Sequence, residues 1–311
     1  MVTAEAVRAA ARTLEGIAVR TSLVELPDMG VYLKLETEQP VGAFKLRGAY
    51  NAIKNLPDAA RRRGVITFSS GNHGQAVAYA AKLMGVRAVV TMPETAPAIK
   101  VNGVKQWGGE VVFAGRTSED RRVKALEIAA REGLAVVPPF DHADIIAGQG
   151  TVGLEIAAQL PGVAMVAVPV GGGGLIAGVT AGLAAAGSAA QVWGVEPAGA
   201  PKLQRSLAAG HPVTLERTAS IADGLITLSV GALPLAVLQA HGDRVRGVAL
   251  VDDDSIREAV HYLWQTHRLK VEPSGAATTA AVRSGAIAPS PSGPTVLVVS
   301  GGNVDPALLE D

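Results

Sequence analysis

The feature that most constrains the fold is the apolar run from Val163 to Val170, followed at once by Gly171-Gly172-Gly173-Gly174 and a helical pattern over Leu175–Ala186. A strand with no polar face must be covered on both sides, which is how strands of parallel sheets read. Val31–Leu35, Val65–Phe68, Arg87–Thr91, Val111–Phe113, Ala135–Val137, Gln191–Val195 and Thr295–Val299 read as further short strands. Helical patterns fall between them, over Lys45–Leu56, Gln75–Met84, Ala98–Trp107, Ser118–Arg131, Asp144–Leu160, Pro201–Ala209, Leu233–His241, Asp253–Arg268 and Gly275–Ser284. Strands alternating with crossover helices predict an α/β fold of two open, mostly parallel twisted sheets covered by helices. At 311 residues the chain has room for two units, one inserted in the other.

Composition narrows the function. The net charge is zero, against the clustered excess of Lys and Arg that a nucleic-acid surface needs. There is no cysteine, hence no thiolate nucleophile, thiolate metal site or disulfide. Met1–Gly16 reads as an amphipathic helix rather than a signal peptide, and no apolar run has the ~18 residues of a membrane span. A cytoplasmic protein without nucleic-acid or membrane partners is expected.

Three strand-to-helix junctions and one lysine carry the chemistry. The glycine run lets backbone N–H groups converge on an anion at a helix N-terminus, where the helix dipole favours negative charge. A phosphate suits it, and the strand and helix that flank it argue against a flexible linker. A rival reading uses the same residues. Gly172-x-Gly174-x-x-Ala177, with Glu196 after the next strand, fits an Ala-ended dinucleotide fingerprint and would make a nicotinamide-dependent oxidoreductase. Lys45 has no role in that reading. It lies in Val41-Gly42-Ala43-Phe44-Lys45-Leu46-Arg47-Gly48, where an apolar approach could desolvate the amine and free it as a nucleophile. It could equally be the first charged residue of an exposed helix. Ser69-Ser70-Gly71-Asn72-His73-Gly74 could hold a second anion such as a carboxylate, or simply cap the next helix through Ser70 or Asn72. His73 could equally be a packed neutral histidine. Ser300-Gly301-Gly302-Asn303 follows the last strand, at the kind of strand end where ligands bind in parallel sheets.

These stretches, in this order, resemble serine racemase and the serine/threonine dehydratases, which are fold type II pyridoxal-phosphate enzymes related to the tryptophan synthase β subunit. Ile146–Thr151 and Ile221-Ala222-Asp223-Gly224 are also similar, and the resemblance covers nearly the whole chain. It implies pyridoxal 5'-phosphate, with Lys45 as the Schiff-base lysine and Phe44 beside the ring. Gly171, Gly172, Gly173, Gly174 and Leu175 would form the phosphate cup. Asn72 would meet the ring oxygen and Ser300 the pyridine nitrogen. Ser69, Asn72 and His73 would hold the substrate carboxylate. The activity implied is dehydration of L-threonine or L-serine to a 2-oxo acid and ammonia. Ser70 and Val271–Gly275 lean toward the racemase branch, in which Ser70 is the second acid/base; serine racemization is the alternative. The implied small domain is 64–141, inserted in a large domain of 1–63 and 142–311, and the implied assembly is a homodimer or homotetramer. A C-terminal regulatory domain is not expected. The resemblance further implies a divalent cation site using Glu196 and the Ala200 carbonyl, but Lys202 stands where a third, acidic ligand would be.

Overall fold

The computed structural model describes residues 2–69, 71–96 and 98–310. Among these residues, ten strands run in chain order: β1 (Leu23–Leu26), β2 (Val31–Leu35), β3 (Val65–Phe68), β4 (Ala88–Met92), β5 (Glu110–Phe113), β6 (Ala135–Val136), β7 (Met165–Pro169), β8 (Gln191–Pro197), β9 (Val245–Val251) and β10 (Thr295–Val299). They form a six-stranded sheet of order β1-β2-β10-β7-β8-β9 and a four-stranded sheet of order β5-β4-β3-β6. All neighbours are parallel except the β1–β2 hairpin. The smaller sheet is built wholly from chain between β2 and β7, so the smaller unit is inserted in the larger.

Every residue of β7 and β10 is buried, as expected for central strands covered on both faces. One face packs on the helices Ala143–Gln159 and Gly174–Ala185, the other on Asp253–His267 and Pro273–Arg283. The helix Gly174–Ala185 is apolar nearly all round and accordingly buried. It packs unusually close to Ala143–Gln159: a Cβ on Gly182 would lie 2.0 Å from the Gly150 carbonyl oxygen. Among the described residues, no helix is long and apolar enough to cross a membrane.

Two strands escape the sequence reading. β1 is a short hairpin arm, and β9 is an edge strand interrupted by Arg246 and Gly247, so neither shows a clean apolar run. The helix Asp58–Arg63 is also unforeseen; it starts directly behind Pro57 and buries none of its residues. The helix expected from Gln75 begins at Asn72, with Gly71 as its cap residue.

Candidate active site

The loops that leave the C-terminal ends of β3, β6, β7 and β10 carry the chemistry-bearing residues, as parallel sheets favour. Lys45 opens the helix Lys45–Asn55. The Phe44 N–H donates to the Ser300 carbonyl at 3.0 Å, and Ala43 bridges Gly301, so the start of this helix is pinned to the end of β10. Gly42 makes the approach possible: its φ is +68°, and a Cβ there would meet Asn303 Oδ1 at 2.6 Å. The Lys45 amine donates to the Pro139 carbonyl at 2.8 Å and lies 5.1 Å from the Phe44 ring centre. Desolvation pushes its pKa down to about 8, partly opposed by Glu272. Lys45 is thus not a solvated surface lysine.

Asn72 donates to Glu272 Oε1 at 2.7 Å and accepts from Asn303 Nδ2 at 2.8 Å, so its amide orientation is fixed from both sides. Burial pushes Glu272 up to about 8, with Asp223 adding to the effect and Asn72 opposing it. His73 sits against the Val137 carbonyl through Nε2 at 3.1 Å, while its Nδ1 is buried without a partner. A carbonyl can only accept, so Nε2 carries the proton. Burial first, then the nearby Lys45 charge, pushes His73 down to about 3. The imidazole is therefore neutral and buried. Asn72 is not the helix cap; Gly71 holds that position, and among the described residues no side chain caps this helix. Ser69 accepts from the Gly71 N–H at 3.3 Å. Ser70, expected as a second acid/base, lies outside the described residues.

In the glycine loop, Gly173 takes a left-handed φ of +88° and leads into the helix beginning at Gly174. Among the described residues, the N–H groups of Gly172, Gly173, Gly174 and Leu175 have no protein acceptor. The glycines also serve packing. A Cβ on Gly172 would lie 2.2 Å from the Phe140 ring, and one on Gly171 would lie 2.6 Å from the Gly224 carbonyl. Ligand approach is thus only part of why this loop is glycine. Pro139 and Phe140 connect it to Lys45, and the Gly224 N–H donates to Ser274 Oγ at 2.9 Å beside Glu272. Ser300 is buried, and its hydroxyl has no protein partner among the described residues.

Glu196 is fully buried with both oxygens engaged. Oε1 accepts from Lys202 Nζ at 3.0 Å and the Leu203 N–H at 2.8 Å, and Oε2 accepts from the Gln204 N–H at 3.0 Å. It cannot turn toward a ribose, which removes the acidic partner of the nicotinamide reading. The Ala200 carbonyl also accepts from Lys202, at 3.2 Å. The two ligands expected for a cation are therefore held by an ammonium; among the described residues, no three His, Asp or Glu side chains are placed to hold a metal.

Glu272, Ser274 and Asn303 lie in stretches that the sequence singles out, but it assigns none of them an individual role, and the Pro139-Phe140 pair goes unmarked. The one local signal is Glu272 before Pro273 at a helix start, and what pairs with it is 200 positions away in sequence.

Residues 14–301 match the family model of pyridoxal-phosphate dependent enzymes. The L-threonine ammonia-lyase of Thermotoga maritima is 35% identical over 100% of this chain and 78% of its own length. The structure of maize serine racemase superposes with a TM-score of 0.93 at 36% identity, covering 98% of this chain and 94% of that one. The crystal structure of the T.th. threonine deaminase gives a TM-score of 0.88 at 38% identity, covering 97% of this chain and 99% of that one. With a family match across most of its length and a desolvated lysine linked through Pro139 and Phe140 to the glycine loop, the chain belongs to the family of pyridoxal-phosphate dependent enzymes.

Proposed function

We propose that this protein is a pyridoxal-phosphate-dependent ammonia-lyase that converts L-threonine or L-serine to 2-oxobutanoate or pyruvate plus ammonia. The observation that carries the reading is the Lys45 amine, desolvated to a pKa of about 8 and joined through Pro139, Phe140 and Gly172 to the loop with unpaired N–H groups. The residues fit the cofactor. Lys45 would hold its aldehyde carbon, Gly171 to Gly174 with Leu175 its phosphate, Ser300 the pyridine nitrogen and Asn72 the ring oxygen, with Phe44 beside the ring. When bound, the group supplies an electron sink conjugated to the substrate α-carbon. Ser300 offers the ring nitrogen a neutral hydroxyl rather than a carboxylate, which moderates that sink and suits elimination over transamination.

The chain's own residues do the remainder. Ser69 and the N–H groups that open the helix Asn72–Leu83 receive the substrate carboxylate. Glu272, neutral below its raised pKa of about 8, fixes Asn72 without setting a second negative charge beside that carboxylate. Lys45 takes the α-proton at Nζ; a base works best when its pKa lies near the working pH, as here. Proton abstraction lets the β-hydroxyl depart, taking up a proton to leave as water, and the released enamine tautomerises to an imine that water hydrolyses to the 2-oxo acid and ammonia. We take the small domain to be 64–141 and the active form to be a cytoplasmic homodimer or homotetramer.

Incubating the purified protein and pyridoxal phosphate with L-threonine and L-serine tests this. Equal amounts of 2-oxo acid and ammonia are expected, and absence of both sinks it. The likeness to maize serine racemase supports a second reading, in which Ser70 protonates the face opposite Lys45. Chiral analysis of residual serine reads that activity in the same reaction.

The lysine environment sets a pH dependence. Uptake of pyridoxal phosphate by cofactor-free protein should quicken with pH and level off above about 8, because only the neutral amine attacks an aldehyde. Stopped-flow absorbance follows it. A profile still rising toward about 10.4, the unperturbed lysine value, would show that Lys45 is not desolvated.

A further inference from the structure

Lys202 is among the largest fully buried side chains of the molecule, and no step of the proposed reaction uses it. Its Nζ faces four oxygens: Leu225 O at 2.8 Å, Val170 O at 2.9 Å, Glu196 Oε1 at 3.0 Å and Ala200 O at 3.2 Å. All four can only accept. A neutral amine would turn a lone pair toward one of them, so the ring of oxygens calls for the ammonium. A carboxylate and three carbonyls around one point are also what a hard metal cation takes as ligands.

The four oxygens belong to three chain segments that adjoin the glycine loop or the strand beside it. Val170 immediately precedes Gly171. Leu225 follows Gly224, whose carbonyl packs against Gly171. Glu196 lies near the end of β8, and Ala200 lies between β8 and the helix Lys202–Ala209, which begins at Lys202 itself. The Ala200 carbonyl also accepts from the Lys202 N–H at 2.9 Å, whereas the Val170 and Leu225 carbonyls have few other ways to be satisfied, since Lys202, Glu196 and their surroundings are closed to water.

We propose that the Lys202 ammonium is a built-in cation, filling a carbonyl-and-carboxylate site that a divalent metal would otherwise occupy, and that it positions the glycine loop for the cofactor phosphate. The site takes no metal in this chain, and cofactor retention is independent of added cations. Lys202 is a positioning residue: it touches neither cofactor nor substrate. The proposal rests on the glycine loop as the phosphate site, and its test reads cofactor affinity rather than turnover.

The cofactor Kd and the melting temperature of the wild-type holoenzyme are measured with EDTA, and with added Mg²⁺, Ca²⁺, Mn²⁺, Na⁺ or K⁺. Neither should move. A chelator-induced loss restored by any of these ions overturns the proposal. Lys202→Met keeps most of the bulk and removes the charge. It should weaken cofactor binding about tenfold or more, the scale expected when a buried hydrogen-bonded charge is removed. A folded variant with wild-type Kd overturns the proposal. Lys202→Ala leaves the oxygen ring with space inside, and a small cation, methylammonium or one of the metals, should restore part of the lost affinity. Failure of every cation to do so shows that packing rather than charge matters, and also overturns it. If both variants fail to fold, the wild-type cation series decides alone. Wild type that takes up no pyridoxal phosphate at all is a distinct result, which overturns the cofactor assignment together with this proposal.

Discussion

Lys45→Ala is expected to abolish turnover and the visible absorbance of covalently held cofactor while leaving the protein folded. The two effects separate because the side chain does little for stability. It makes one hydrogen bond, to the Pro139 carbonyl, and occupies the first position of its helix, where alanine is well tolerated. Its chemical contribution is large. Removing a positioned general base costs about 10²–10⁴-fold, and in this site the same atom is also the covalent anchor. The glycine loop remains, so the variant should still bind pyridoxal phosphate without a covalent link, with the spectrum of the free aldehyde. Absorbance spectra, a melting curve and a 2-oxo acid assay measured together decide the matter. A variant that keeps its shifted absorbance, or retains turnover within about tenfold of wild type, would remove Lys45 from both roles.

The contrast between what is and is not legible in the sequence follows from the range of the interactions. β7, the glycine loop and the helix behind it are readable because a buried parallel strand and a helix N-terminus are local patterns. Lys45 is readable from its neighbours, yet its depressed pKa comes from burial between loops that sequence does not juxtapose, against the opposing pull of Glu272. His73 shows the limit most clearly. Its place in a polar loop suggests ligand binding, but the helix starts earlier than its periodicity implies and turns the ring inward onto Val137. Glu196 invites two site readings, nicotinamide and metal, because an acid after a strand is what both look like. What excludes the first is an internal lysine six positions on. The glycine run reads in sequence as a ligand-binding turn, for a phosphate or a dinucleotide; contact with Phe140, a residue over thirty positions upstream, supplies a packing reason for it.

Arg47, two residues beyond Lys45 on the same helix, anchors the site from below, and Arg47→Met should be strongly destabilising. The guanidinium pairs in bidentate fashion with Glu36, at 2.8 Å from both Nε and Nη2, and with Glu155, at 2.6 Å from Nη1 and 3.0 Å from Nη2. It also donates to Thr151 and to the Val19 carbonyl. Lys34 joins the cluster through Glu155 at 2.6 Å. Methionine fills much of the volume but leaves Glu36, fully buried, facing only Thr21 and Gln39. Breaking a buried pair on one side costs about 3–5 kcal/mol, much of it from the stranded charge. The pH dependence identifies the cause. Burial pushes Glu36 upward, but Arg47 and Lys34 outweigh it and hold the carboxyl below its ordinary range in the wild type. That group therefore contributes stability above the unfolded carboxylate pKa, about 4.3, and loses it as pH falls through the lower folded value. In the variant burial acts without its main opponent, so Glu36 shifts upward and the sign reverses: protonation relieves the penalty as pH falls. Denaturant unfolding at neutral pH and near pH 5 should thus show the gap between variant and wild type narrowing toward acid. A gap of equal size at both pH values would assign the loss to packing, and a gap below ~1 kcal/mol at neutral pH would mean that this buried network does not hold the Lys45 helix in place.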